Sequence, residues 1–115
     1  MVSGLPTFAW FSYLAMMVVV SLLNLYCAAH VRTEKIPMQW NLGGQPTWFA
    51  PKLIGLWMIV GILAVTAPAF FMNIKQNAAS AGPWYWIGMI AVFCFVAAMY
   101  AWHIQAVIAW AEAQR

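Results

Sequence analysis

The sequence predicts an all-α membrane protein with three transmembrane helices and an ordered loop, rich in proline, glycine and tryptophan, between the first two. Three observations lead to this prediction. Of the 115 residues, 66% are hydrophobic and only 6% are charged, whereas a soluble domain is about 25% charged. A single domain of this size cannot bury so much apolar surface away from water. Three uncharged apolar stretches are each long enough to cross a bilayer, which takes about 20 helical residues.

The first two predicted spans cover about residues 8–29 and 53–72 and contain no charged side chain. Pro51 precedes the second span at a position typical of a first helical turn. Pro68 lies inside that span and predicts either a kink or the end of the regular helix. Asn24 is a polar residue within the first span, and we expect it to hydrogen-bond to a neighbouring helix.

The third predicted span covers about residues 84–110, which is longer than a bilayer requires, so it is expected to tilt or to extend beyond the membrane. Gln105, near its end, is expected to bond to a neighbouring helix as Asn24 does. We interpret residues 1–115 as one membrane domain in which residues 30–52 form the loop. The lipid bilayer is therefore its first predicted partner.

The five basic residues are scattered along the chain, which excludes the clustered basic face of a nucleic-acid-binding protein. Arg32, Lys35, Lys52 and Arg115 fall on one side of the predicted membrane, and Lys75 falls on the other. The positive-inside rule therefore favours an outside N-terminus and a cytoplasmic first loop.

The loop of residues 30–52 is the least typical part of the chain. Pro37 restricts the residue before it to extended backbone, and Asn41 and Gly44 permit turn conformations. Its tryptophans are expected to fold the loop back onto the membrane surface. The loop is either a connector anchored by aromatic side chains or a recognition site, whose candidate residues are Ile36, Pro37, Trp40, Asn41, Gly44, Pro46, Trp48 and Lys52.

The spacing Ile36-Pro37-x-x-Trp40-Asn41-x-x-Gly44-x-Pro46, followed by Pro51-Lys52, resembles the signature loop of the small bacterial membrane domain found in SdpI-like proteins. The resemblance implies a multi-pass protein of the bacterial inner membrane, of the toxin-immunity or signalling type, that acts by binding a partner. It also implies that the loop faces outward, opposite to the charge count.

Two positions depart from that family pattern. Gln39 stands where the family usually has histidine, and Thr47 stands where it usually has aspartate. These are the ionisable positions of the family loop, so proton exchange or metal binding through them is not expected in this chain.

His30 and His103 lie at the end of the first span and late in the third, on the same side and at comparable depth. Two such imidazoles could ligate a haem or another tetrapyrrole; alternatively, each sits at the interface and bonds to a carbonyl or to water. No other cofactor, and no metal, is predicted.

Catalysis and proton-coupled transport are both disfavoured by the distribution of reactive side chains. The sequence shows no nucleophile–base pair, metal-ligand spacing or phosphate loop, and we predict that the protein is not an enzyme. Its two acids, Glu34 and Glu112, lie outside or at the edge of the spans, whereas proton-coupled carriers need an acid within a span.

Two functional hypotheses remain. In the first, the chain is an SdpI-like membrane protein that binds another membrane protein or a second copy of itself. In the second, it is an accessory structural subunit of a larger respiratory or photosynthetic membrane complex.

Overall fold

A computed structural model describes residues 4–114. In chain order it contains helix α1 (Leu5–His30), strands β1 (Lys35–Trp40) and β2 (Pro46–Pro51), and helices α2 (Lys52–Asn77) and α3 (Pro83–Ala113). All three helices are long and apolar enough to cross a membrane, which confirms the prediction of a multi-pass membrane protein with three helical spans. Arg115, which entered the charge count, lies outside the described residues.

Prolines mark where the helices begin, and they do not interrupt them. Pro6 and Pro83 occupy the first turns of α1 and α3, where a missing backbone N–H costs nothing. Helix α2 continues through Pro68 to Asn77. Of the two outcomes predicted for Pro68, the end of the helix is therefore wrong.

The loop between α1 and α2 contains an antiparallel β-hairpin that the sequence analysis did not predict. Lys35 pairs with Pro51 at the base of the hairpin, and Trp40 pairs with Pro46 next to the turn. The pairing shifts on either side of Gln39. Prolines lack the N–H donor that a β-ladder needs, so a segment rich in proline is not normally predicted as a strand. The two six-residue strands contain three prolines, and the sequence pattern therefore did not indicate a hairpin.

Buried side chains form three clusters along the helices, and α1 contributes to each of them. The cluster at the hairpin end includes Ile36, which is fully buried, so that the hairpin is packed into the same core as the helices. Tyr13 and Phe93 lie in the middle cluster. Trp86 anchors the opposite end.

Gly55, in the first turn of α2, is a point where the hairpin approaches a helix closely. A Cβ atom added to Gly55 would lie 2.9 Å from the Ile36 Cδ1 atom and 2.9 Å from the Met38 Sδ atom. A Cβ atom added to Gly61, less than two turns further along α2, would have nothing within 4 Å. The missing side chain at position 55 is therefore what lets β1 lie against α2.

Alanine substitutions at these two glycines are expected to change the free energy of unfolding in opposite directions. Gly61→Ala should raise the free energy of unfolding by up to about 1 kcal/mol, because alanine favours helix. Gly55→Ala should lose this gain and be less stable than the wild type, because overpacking costs about 1–3 kcal/mol. Detergent-driven unfolding followed by circular dichroism measures both, and equal stability of the two variants would contradict the close approach.

A candidate recognition site at the hairpin end

The turn of the hairpin is organised by one side chain. The Asn41 Oδ1 atom accepts hydrogen bonds from the backbone N–H groups of Gly43, at 2.9 Å, and Gln45, at 2.8 Å. The Gly44 N–H donates to the Asn41 carbonyl at 3.0 Å, and Gly44 has a φ of +77°, a conformation that suits glycine. Asn41 and Gly44 therefore shape the turn.

The inner side of the hairpin is fastened to α3 by aromatic side chains. The Trp40 Nε1–H group donates to the His103 Nδ1 atom at 3.1 Å, and the Trp40 ring lies edge-on to Trp102, with 6.4 Å between centroids. Phe49 packs on Trp110 at 5.5 Å. Because these contacts reach α3 from both strands, the hairpin lies across the end of that helix.

Lys52 closes the base of the hairpin. Its ammonium group donates to the carbonyl oxygens of Val31, at 2.7 Å, and Ala28, at 3.4 Å, at the C-terminal end of α1. The last carbonyls of a helix have no partner within the helix, and the dipole there favours a positive charge. The backbone N–H of Lys52 also donates to the Glu34 carbonyl at 2.8 Å, so that one residue joins α1, the hairpin and α2.

Below the hairpin, a buried asparagine connects all three helices. Asn24 of α1 is fully buried; its amide group donates to the Leu56 carbonyl of α2, and its Oδ1 atom accepts from the Tyr100 hydroxyl of α3. The expected interhelical bonding of Asn24 is thus found. Gln105 is exposed, and within residues 4–114 no hydrogen bond to another helix supports the same expectation for it.

The outer side of the hairpin remains uncovered by the described residues. Leu42, at the tip, is fully exposed, and Trp48 on β2 is 49% exposed. Gln39 and Thr47 are exposed as well. The hairpin is therefore two-sided, with one side packed on the helices and an apolar tip and strand open to the surroundings.

The predicted site residues separate into three groups on this hairpin. Ile36, Pro37, Trp40 and Lys52 hold it against the helices, Asn41 and Gly44 form its turn, and Pro46 is half-buried opposite Trp40. Among the predicted residues, Asn41, Gly44 and Trp48 are exposed, and Trp48 is the large apolar side chain of the three, at 49% exposure. The sequence analysis did not include Leu42 among the candidate site residues. Its position between Asn41 and two glycines is typical of the tip of a turn and could have indicated that it is exposed.

The two histidines make separate interactions. The His30 Nδ1 atom lies 2.8 Å from the Tyr26 carbonyl of its own helix, and its ring stacks on Tyr26. His103 accepts from Trp40. Among residues 4–114, no group of three or more histidine, cysteine, aspartate or glutamate side chains is placed to hold a metal ion.

These features define a small multi-pass membrane protein with a β-hairpin fixed across the ends of its helices. Residues 14–64 match a family described as a domain of unknown function, DUF1648. The matched stretch runs from within α1 through the hairpin into α2, and it supports a small domain of unknown function there. No curated protein and no solved structure matches the chain.

Proposed function

We propose that this chain is a non-catalytic protein of the bacterial inner membrane, of the SdpI-like immunity or signalling type, that binds a membrane-protein partner through the outer side of its hairpin. The observation that carries this proposal is the exposure of Leu42 and Trp48 on a hairpin whose other side is held by hydrogen bonds and buried packing. Exposed apolar residues on a fixed support are typical of a protein-binding surface.

The supporting contacts explain how the surface is held in place for recognition. Trp40 and Lys52 each bond to a helix, and the turn is closed by Asn41. A surface fixed before binding loses less conformational entropy when a partner docks. These contacts support recognition over a simple connector, which does not need such a support.

The two positions that depart from the SdpI-like pattern are consistent with a binding site on the exposed part of the hairpin. Gln39 and Thr47 both have exposed side chains, so the positions at which the family usually has histidine and aspartate lie where a partner could reach them. In this chain both positions are uncharged, so recognition here depends on apolar and hydrogen-bonding contacts.

The test is co-purification of the tagged full chain from bacterial membranes in mild detergent. Leu42→Ser combined with Trp48→Ser should remove the partner while expression and helical content persist. Leu53→Ser, at an exposed residue on α2, is the matched control and should retain it. Retention by the double variant would refute binding through the outer side of the hairpin.

The same purification distinguishes the second candidate function. The most apolar stretch of α3 is only 11% buried within the protein. The rest of its surface is available to a further subunit as well as to lipid. Stoichiometric migration with a respiratory or photosynthetic complex, undisturbed by the Leu42 and Trp48 substitutions, would favour an accessory structural subunit over an SdpI-like protein.

A further inference from the structure

A cleft of about 270 Å³ opens between α2 and α3 beneath β1. No charged residue lines it; its walls are Met38, Gly55, Met58, Ile59, Ile62, Tyr100 and His103. Met58 and Ile62 are 42% and 52% exposed on a helix that crosses the membrane, so the cleft can be entered from the lipid. Neither the turn nor the exposed tip of the hairpin takes part in it.

The hydrogen bond from Trp40 determines what His103 offers to this cleft. An indole N–H can only donate, so the His103 Nδ1 atom must accept. A neutral imidazole has one donor and one acceptor nitrogen, which leaves Nε2 carrying the proton. The same argument opposes metal or haem ligation by His103 in this arrangement, because neither ring nitrogen has a free lone pair.

The Nε2–H group of His103 has no hydrogen-bond partner among residues 4–114. In that part of the chain, Trp86 Nε1 is the one side-chain polar atom that is both buried and unpaired, so the protein does not fully enclose the Nε2 atom of His103, a residue that lines the cleft. The other polar group of the lining, the Tyr100 hydroxyl, already donates to Asn24. The cleft therefore presents a single free donor.

This combination defines the chemistry of a ligand. A donor at the edge of an apolar environment calls for an acceptor oxygen, because leaving it unpaired costs free energy. A charged head group would have no counter-charge in the lining. The Met38 and Met58 thioethers favour a π-system, since sulfur packs well against aromatic rings.

From these features we infer that the cleft binds the head group of a lipid-soluble quinone, with a ring carbonyl oxygen accepting from the His103 Nε2–H group and the ring lying between the two methionines. The isoprenoid tail leaves toward the lipid past Ile62. An ester carbonyl of a phospholipid could accept the same bond but would place an acyl chain and no ring against the thioethers. The inference is independent of the proposed partner surface on the hairpin.

The experiment is a calorimetric titration of the full chain in nanodiscs with a short-chain ubiquinone. His103→Phe should weaken binding about tenfold, the worth of one hydrogen bond. Ile62→Trp should abolish binding by filling the cleft without touching the hairpin. His30→Phe, at the other histidine, should change binding less than about threefold. Trp40→Phe loosens the hairpin and removes the bond that fixes the proton on Nε2, but the imidazole can still donate from that nitrogen, so binding should weaken less than in His103→Phe.

Any one of the following results would overturn the inference: no saturable binding by the wild type, unchanged binding by Ile62→Trp, or equal competition by a short-chain ester phospholipid. A Trp40→Phe loss as large as that of His103→Phe would also count against it, because it would show that hairpin disruption and not the donor matters. Leu42→Ser with Trp48→Ser should leave binding intact, so this proposal and the proposed function can fail separately.

Discussion

Replacing Asn24 by leucine is expected to lower the free energy of unfolding of the helical bundle by about 1–3 kcal/mol. The substitution removes two interhelical hydrogen bonds, to the Leu56 carbonyl and from the Tyr100 hydroxyl. Measured interhelical side-chain bonds in membranes average about 0.6 and reach about 1.7 kcal/mol each. Tyr100 retains a longer contact of 3.3 Å to the Leu56 carbonyl, which moderates the loss.

Unfolding in mixed detergent and lipid micelles, followed by circular dichroism, measures this change. Gln105→Leu is the control, because Gln105 is also an amide in a predicted span but has an exposed side chain. We expect its stability to match that of the wild type or exceed it. If Asn24→Leu were as stable as Gln105→Leu, the Asn24 bridge would not hold the three helices together.

Replacing Lys52 by methionine is expected to loosen the base of the hairpin and the end of α1, at a cost of about 2 kcal/mol. Hydrogen bonds to a charged group are worth about 1.5–3 kcal/mol, and a cation at a partly buried helix C-terminus up to about 2 kcal/mol. Methionine retains most of the length of the side chain but bonds to neither the Val31 nor the Ala28 carbonyl. Lys52→Arg should recover part of the loss.

Hydrogen exchange read by mass spectrometry locates the effect of the lysine substitutions. In Lys52→Met, amides of residues 28–36 should exchange faster, while those of α3 should be little changed. Lys35→Met removes an exposed charge at the same end of the molecule and should leave the pattern unaltered. Equal exchange in the two variants would mean that the Lys52 contacts contribute no stability.

The helices could be predicted because each is encoded locally. A run of about 20 apolar residues has few alternatives in a bilayer, and α1, α2 and α3 each contain one. Their ends were less well defined: α2 extends five residues past the predicted end at residue 72. Pro68 did not end it, because neighbouring groups in a membrane can compensate for a proline.

The candidate site could be predicted only in part because its contacts are not local. Asn41 and Gly44 are close together in the sequence and are residue types that predict a turn. By contrast, Trp40 and His103 are 63 positions apart, and Asn24 and Tyr100 are 76 apart. No spacing rule connects such pairs, and for His103 the sequence suggests either a ligand or an interfacial residue bonded to a carbonyl or to water, but not a partner for Trp40. Likewise, nothing in the sequence around Gly55 indicates that this residue packs against the hairpin.

The central claim is that the helices hold the hairpin so that its outer side meets a partner, and photo-crosslinking in native membranes tests it most directly. A photoreactive residue in place of Leu42 or Trp48 should give one discrete protein adduct, to another protein or to a second copy of the chain. In place of Val65, which is 80% exposed on α2 but far from the hairpin, it should give none. No adduct from positions 42 and 48, or the same adduct from position 65, would contradict the claim.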